Sequence, residues 1–564
     1  MPVDGADELV FLPLGGAGEI GMNLNLYGYG PAEQRRWLMI DLGIGFGAAG
    51  LPGVDVVMAD PSYIVERRHQ LEGIVLTHAH EDHLGAVPYL WPLLRCPVYG
   101  SDFALAILRG KLARTSFGSE VPLKPIGPGQ TIELGPFALS FISMAHSIPE
   151  AHAVIIRTGA GTLVHTGDWK LDPEPVVGGF ADEAALQRAG DEGVLGLICD
   201  STNVFEPGRA GSEGTLLAPL TELIGACANR VAVTCFSTNI ARLHTIATAA
   251  HRSGREVVLA GSAIARNYLA AKECGYLGEL PAFLDTDAAG YLPRNKIVLI
   301  CTGSQGEPNA ALACLAAGEH PSLALEAGDT VIFSSRVIPG NEIAIGRLQN
   351  QLLRRGIEVI GHRQARVHVS GHPARDELAR MYALVRPRIA VPVHGELRHM
   401  IEHARLATAE GVPHTVVAEN GTMVRFSPGP AVAAEEVQSG RLALEGNRVV
   451  PMEGELVRRR AKAVYEGAAF VTVALAATQQ AAADVQLSTV GLLEQGEDET
   501  AAALTAAVRK AIDDLPGSTY KDDATVREAV RLAVRRTCRQ ILEKRPVTHV
   551  HLLRGGLARK GGKR

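Results

Sequence analysis

The sequence holds 564 residues, 46% of them hydrophobic and 21% charged, with a net charge of −6 and a mean hydropathy of +0.09. A chain of this length exceeds the size at which one core keeps growing, so about two to four domains are expected, and the composition excludes a disordered or fibrous protein. No run approaches the roughly 20 apolar residues that cross a bilayer, and the negative balance gives no global electrostatic case for nucleic acid.

The start MPVDGADELVFLPLGG lacks a basic segment followed by a long apolar run, which points to a cytoplasmic protein. From Glu8 to about Asn203 short apolar strands dominate: LVFLPL, NLNLYGYG, RRWLMIDLG, GIVLTHAH, FALSFISMAH and the hairpin AVIIRTGAGTLVHTGD turning at Gly159 to Gly161. A helix is predicted between them at Asp102 to Ala113. Between about Phe205 and Gln364 the rhythm becomes strand, polar turn, helix, as in RVAVTCFSTN followed by IARLHTIATAAHRSG, which predicts a parallel sheet of its own. ARVHVSGH, a helix near Pro373 to Val385 and RIAVPVHGE then return to the first domain. The expected division is 1–205 and 365–425 for one discontinuous domain, 206–364 for the insertion, 426–455 for a linker and 456–564 for a small α/β domain. This last part is the basic end, with a net +5 from Glu453 onward and −11 before it. Its predicted helix, Thr525 to Lys544, repeats Arg at 527, 531, 535 and 539, while Val526, Val530, Val534 and Ile541 mark a packed face. The eight cysteines are scattered, form no CxxC and read as buried thiols.

The chemistry concentrates in Thr77-His78-Ala79-His80-Glu81-Asp82-His83, which follows an apolar strand and precedes a helical run. Three imidazoles and a carboxylate on one loop are nitrogen and oxygen donors suited to zinc. Two other motifs are decoys. Gly16-Ala17-Gly18-Glu19-Ile20-Gly21 matches a dinucleotide fingerprint, with Asp41 twenty residues on, but the strand-like MNLNLYGYG follows where a helix is required. Cys301-Thr302-Gly303-Ser304 has no base motif and reads as a strand-to-helix turn running to Glu307.

HxHxDH resembles the signature of the metallo-β-lactamase superfamily, with Asp41 in LMIDLG, His146 in MAHSIPEA, Asp168 in HTGDW and His394 in VPVHGE in the matching order. The resemblance implies one metal on His78, His80 and His146, a second on Asp82, His83 and His394, Asp168 between them, and Asp41 orienting the loop. Two Zn2+ per chain are expected, with Mn2+ or Mg2+ as exchangeable alternatives, and such a pair suits phosphodiester hydrolysis. Asp200 in CDSTN, His368 in HVSGH and His394 resemble the motifs of the β-CASP group, whose RNA-acting members carry His at the second motif. LPLGGAGEIGMN, THAHEDHLGAVPYL, CTGSQGEP and SSRVIPGNE further resemble the bacterial ribonuclease J family over about Val10 to Gly395. Pro373-Ala374-Arg375 and Trp169 depart from its usual pattern.

That resemblance implies a metallo-β-lactamase αββα sandwich, an inserted doubly wound β-CASP domain and a small C-terminal domain. It also implies hydrolysis of single-stranded RNA from a 5′-monophosphate end toward 3′, with endonucleolytic cuts, in a homodimer or homotetramer assembled through the C-terminal domain. Ser237, His368, Ser370 and His372 would grip the scissile phosphate, and Asp200 would help deliver a proton. A β-CASP endoribonuclease and an RNA-binding scaffold with a dead site are the alternatives, the second disfavoured because every expected ligand is present.

Overall fold

The computed structural model describes residues 6–47, 52–338, 340–475 and 484–554. The chain forms two compact units, one of Met1–Phe46 with Val56–Leu444, the other of Gly47–Asp55 with Glu445–Arg564.

In the first unit two sheets lie face to face. One runs in the order Val432–Glu436, Thr422–Ser427, Glu8–Gly15, Leu24–Gly30, Arg36–Ile40, Leu71–Val75, Val98–Gly100, Leu123–Pro125. The other runs Thr131–Leu134, Phe137–Met144, Ala151–Thr158, Gly161–His165, Gly196–Asp200, Ile389–Val393, His414–Thr415. Phe11, Tyr27, Leu38 and Val75 from the first interlock with Phe141, Val154, Ile198 and Val391 from the second, and this apolar layer is the main core. Helices Glu183–Glu192, Arg375–Val385 and Leu397–Ala409 cover the outer face of the second sheet through Leu186, Leu378, Tyr382 and Leu406. This is the αββα sandwich expected, with an insertion between its two halves.

The insertion is a parallel sheet of five strands in the order Glu256–Ala260, Ile297–Cys301, Val231–Thr234, Thr330–Phe333, Glu358–Ile360. Its strands are almost continuously apolar, as burial on both faces requires. The segment expected as a linker is partly ordered. Val432–Glu436 extends the first sheet, and Arg441 to Ala443 pair with Ala59 to Val57. Val432–Glu436 is wholly exposed, so no alternation announces it in the sequence.

The second unit packs helices Asp498–Asp513 and Asp523–Leu542 on a sheet of Asp484–Val490, Ala468–Leu475 and Val547–Arg554. Val526, Val530, Val534 and Cys538 face this core. Ile541, expected there, is exposed because Cys538 takes the fourth place of the four-residue repeat.

Candidate metal centre

The strands that carry the polar residues end together. Arg36–Ile40 and Leu71–Val75 are parallel with Ile40 opposite Val75, so Asp41 and the 77–83 loop leave the first sheet side by side. In the second sheet Gly161–His165, Gly196–Asp200 and Ile389–Val393 are parallel neighbours, and Asp168, Asp200 and His394 stand at or just past their C-terminal ends. Loops leaving parallel strands converge without being committed to the ladder, which frees their side chains for chemistry. Two of these residues are strained: Asp41 has φ +65° and His394 φ +51°, at a cost on the order of 1–3 kcal/mol each that the surrounding structure must offset.

Each imidazole is oriented through one nitrogen and offers the other. The fully buried Asp41 carboxylate accepts from the Thr77 N–H and hydroxyl, both at 2.8 Å, and from His83 Nδ1 at 2.7 Å. His146 donates from Nδ1 to the Gly371 carbonyl at 2.7 Å, and His78 sets Nδ1 3.0 Å from the Thr77 hydroxyl. The Nε2 atoms of His78 and His146 then lie 3.0 and 3.1 Å from His80 Nδ1. On the other side His83 Nε2 is 3.3 Å from Asp168 Oδ2 and 3.6 Å from Asp82 Oδ2, and His394 Nε2 is 3.8 Å from Asp82. Two donor groups result, His78, His80, His146 and Asp168, and Asp82, His83, Asp168 and His394. Within each group the ligand atoms lie within 4.8 Å of one another.

This arrangement fits divalent cations. Three ring nitrogens point their lone pairs at one small volume, and Asp168 Oδ1 is buried with no hydrogen-bond partner. Burial, then neighbouring histidines, holds His78 and His146 well below the ordinary imidazole range, and burial lowers His80 to about 4. These rings are neutral, the form that ligates metal. For His83 burial acts the same way, but Asp168, Asp82 and Asp41 outweigh it and raise its pKa. Burial would raise the Asp168 pKa, yet His394, His83 and His372 keep it well below the carboxylate range.

A third cluster adjoins these. His372 Nδ1 is 2.8 Å from Asp200 Oδ2 and 3.8 Å from Asp168 Oδ2; burial disfavours its charge, but Asp200 and then Asp168 raise its pKa to about 9. The other Asp200 oxygen accepts from the Thr202 N–H and hydroxyl. The other expected phosphate residues are spread along the adjoining segments. Ser370 accepts from Asn203 at 2.7 Å, the Ser237 carbonyl accepts from Asn267 at 2.7 Å, and His368 Nδ1 lies 3.3 Å from Arg242. Arg375 is engaged by Glu402 at 2.8 Å, and Trp169 is a core residue.

Sequence reasoning passed over Asn23. Its oxygen accepts from His394 Nδ1 at 3.1 Å and so braces that ring, while its amide nitrogen lies 3.1 Å from His83 Nε2, the atom that faces the centre, which puts Asn23 at the wall of the site between two ligand residues 311 positions apart. The only signal was its place directly after the glycine loop. That loop binds no helix N-terminus: strand Leu24–Gly30 follows it, and the Gly16 carbonyl accepts from His394 N at 2.6 Å. His165 lies beneath the site, its Nδ1 2.7 Å from the Tyr27 hydroxyl.

Sequence profiles of known families match along the chain: the metallo-beta-lactamase superfamily at 32–218, the ribonuclease J beta-CASP domain at 228–352, a Zn-dependent metallo-hydrolase RNA specificity domain at 356–417, and the ribonuclease J C-terminal domain at 455–554. A ribonuclease J of Sinorhizobium meliloti is 44% identical over 548 residues, 97% of each chain, and one of Thermus thermophilus 37% over 477 residues, 83% of this chain and 82% of its own. A crystal structure of a protein of unknown function from Enterococcus faecalis V583 covers 74% of this chain and all of its own at a TM-score of 0.50 and 17% identity, a likeness of fold. With such identity over nearly the whole length, and a centre whose donor set fits divalent metal, the chain belongs to the ribonuclease J family.

Proposed function

We propose that this metal-dependent ribonuclease degrades single-stranded RNA from 5′-monophosphate ends toward 3′, with endonucleolytic cuts as a second activity, in the cytoplasm. The observation that carries the reading is the pair of donor groups sharing Asp168. His78, His80 and His146 would hold one Zn2+, Asp82, His83 and His394 the other, with Asp168 common to both and Mn2+ or Mg2+ as exchangeable alternatives. Bound there, two cations would supply a lowered pKa for a water and positive charge against the phosphate.

The remaining work falls to the chain. Asp41 keeps the His83 ring turned toward the centre and Gly371 does so for His146. Ser237, His368, Ser370 and His372 supply donors for the nonbridging phosphate oxygens. Asp200, held by Thr202 and paired with His372, lies at the edge of the centre where a proton for the leaving oxygen is needed. Among the described residues no helix is long and apolar enough to cross a membrane.

End-labelled RNA with a 5′-phosphate or a 5′-hydroxyl, incubated with metal-replete protein, tests this directly. The expected result is mononucleotides released first from the 5′-phosphate end, with the 5′-hydroxyl RNA much slower. Internal fragments from both RNAs at equal rates would make the enzyme an endonuclease.

A further inference from the structure

Helix Ile240–Arg252 begins three residues after Ser237, and its third residue is Arg242. The Arg242 side chain is completely buried, yet none of the proposed chemistry uses it. Its guanidinium grips Glu213 with two parallel bonds, Nε to Oε1 at 2.6 Å and Nη2 to Oε2 at 3.0 Å. Nη1 donates to the Ser334 carbonyl at 2.7 Å and hydroxyl at 2.9 Å, and that hydroxyl donates onward to the Val367 carbonyl at 2.7 Å. The same Nη1 also lies 3.3 Å from Val367 O and from His368 Nδ1, and Nη2 lies 3.3 Å from Val369 O, so the group is set against the extended 367–369 segment. A buried pair of this kind adds little net stability over apolar residues of the same size, but it imposes a fixed pattern of donors and acceptors.

We propose that Arg242 is a positioning residue for RNA hydrolysis, fixing His368 as the neutral imidazole with its proton on Nε2, where it meets a nonbridging phosphate oxygen. The inference rests on the reading of His368 as a phosphate donor. A guanidinium has donors and no acceptor. The Nδ1 atom facing it can therefore present only its lone pair; a proton there would meet N–H head-on. The one proton of the neutral ring is left on Nε2. Burial, and after it the Arg242 charge, holds the His368 pKa well below the ordinary value, so the ring is neutral and has one N–H to give as a hydrogen bond. His368 in this role stabilises charge on the phosphate and is no general acid.

The first test uses the unaltered holoenzyme. Long-range 1H–15N correlations of 15N-histidine-labelled protein, with His368 assigned by its loss in H368Q, should show the proton on Nε2. A proton on Nδ1 overturns the proposal whatever any variant does. The second is a cycle with Arg242→Lys, which keeps the charge and loses the fork. It should lower kcat about 10-fold or more in the wild-type background with metal content unchanged, and less than about twofold further in the H368A background. Equal losses in both backgrounds would show that Arg242 acts apart from His368 and overturn the proposal. H368A with full turnover would instead overturn the phosphate reading of His368 itself. In the third, H368Q, whose amide NH2 stands near the place of Nε2–H, should keep at least about 10 times the activity of H368N, whose NH2 falls beside the guanidinium. The reverse order would place the working proton on Nδ1.

Discussion

Asp168 is common to both donor groups, whereas His80 serves one, so the two should respond differently to removal. His80→Ala is expected to lose one bound metal per chain and Asp168→Ala to loosen both, each abolishing hydrolysis in a chain with an unchanged circular dichroism spectrum. Metal analysis beside a turnover assay checks this, and near-normal turnover in either variant sinks the site assignment. His368→Ala should keep its metal but lose turnover by a factor on the order of 100, because a donor is removed where charge develops. If metal is lost instead, that histidine belongs to the ligand set. At this scale the sequence was legible where residue types cluster, as in the 77–83 loop, and where a family motif surrounds a lone residue, as at Asp41, His146 and His394. It was silent on Asn23, Glu213 and Arg242, whose partners lie far off in the chain and whose roles follow from contacts alone.

Each metal-facing segment depends on a neighbouring element for its aim. A Cβ added at Gly371 would lie 2.8 Å from His146 Cε1, on the residue whose carbonyl holds that ring. Gly371→Ala should therefore push His146 aside and weaken metal binding by the His78, His80 and His146 group. The variant is expected to need at least about 10-fold more metal for half-maximal activity, a cost of the size seen when such orienting contacts are lost. Unchanged metal dependence would mean that the 367–372 segment moves away freely. Elements with a strong period were read from the sequence to within about two residues: helix Arg375–Val385, strand Val231–Thr234 of the insertion with the helix Ile240–Arg252 after it, and the helix with Val526, Val530 and Val534 inward. The exposed strand Val432–Glu436 was missed, since a strand that buries nothing leaves no pattern.

For the molecule as a whole, three histidines far apart in sequence and outside the ligand set contribute to its response to acid. His152, His165 and His403 are buried with pKa values lowered to about 4, burial being the leading cause in each. Unfolded, each titrates near 6.5, so between about pH 6.5 and 4 the unfolded chain binds protons that the folded chain refuses, and stability falls as pH falls. The Tm of the protein should be highest above about pH 6.5 and drop steadily below it; a flat profile down to about pH 4.5 would mean these rings reach solvent when folded. Removal of residues 453–564 tests the basic end. The expected product is a monomer with reduced activity. Retained oligomeric mass with a shallower salt dependence of RNA binding would assign that end to RNA contact. Four of its basic residues, Arg559, Lys560, Lys563 and Arg564, lie outside the described residues.

Strand Ile389–Val393, which delivers His394, fits between Gly196–Asp200 and His414–Thr415, so the second sheet is closed by a stretch of chain that comes after the whole insertion. Thr422–Ser427 likewise completes the first sheet beside Glu8–Gly15. A polypeptide emerging from the ribosome therefore carries the 77–83 loop long before it can build the centre, and through most of its synthesis it is a nuclease in composition only. The messenger being translated, itself single-stranded RNA held close by, meets a competent enzyme only after residues 389–427 have left the exit tunnel and docked.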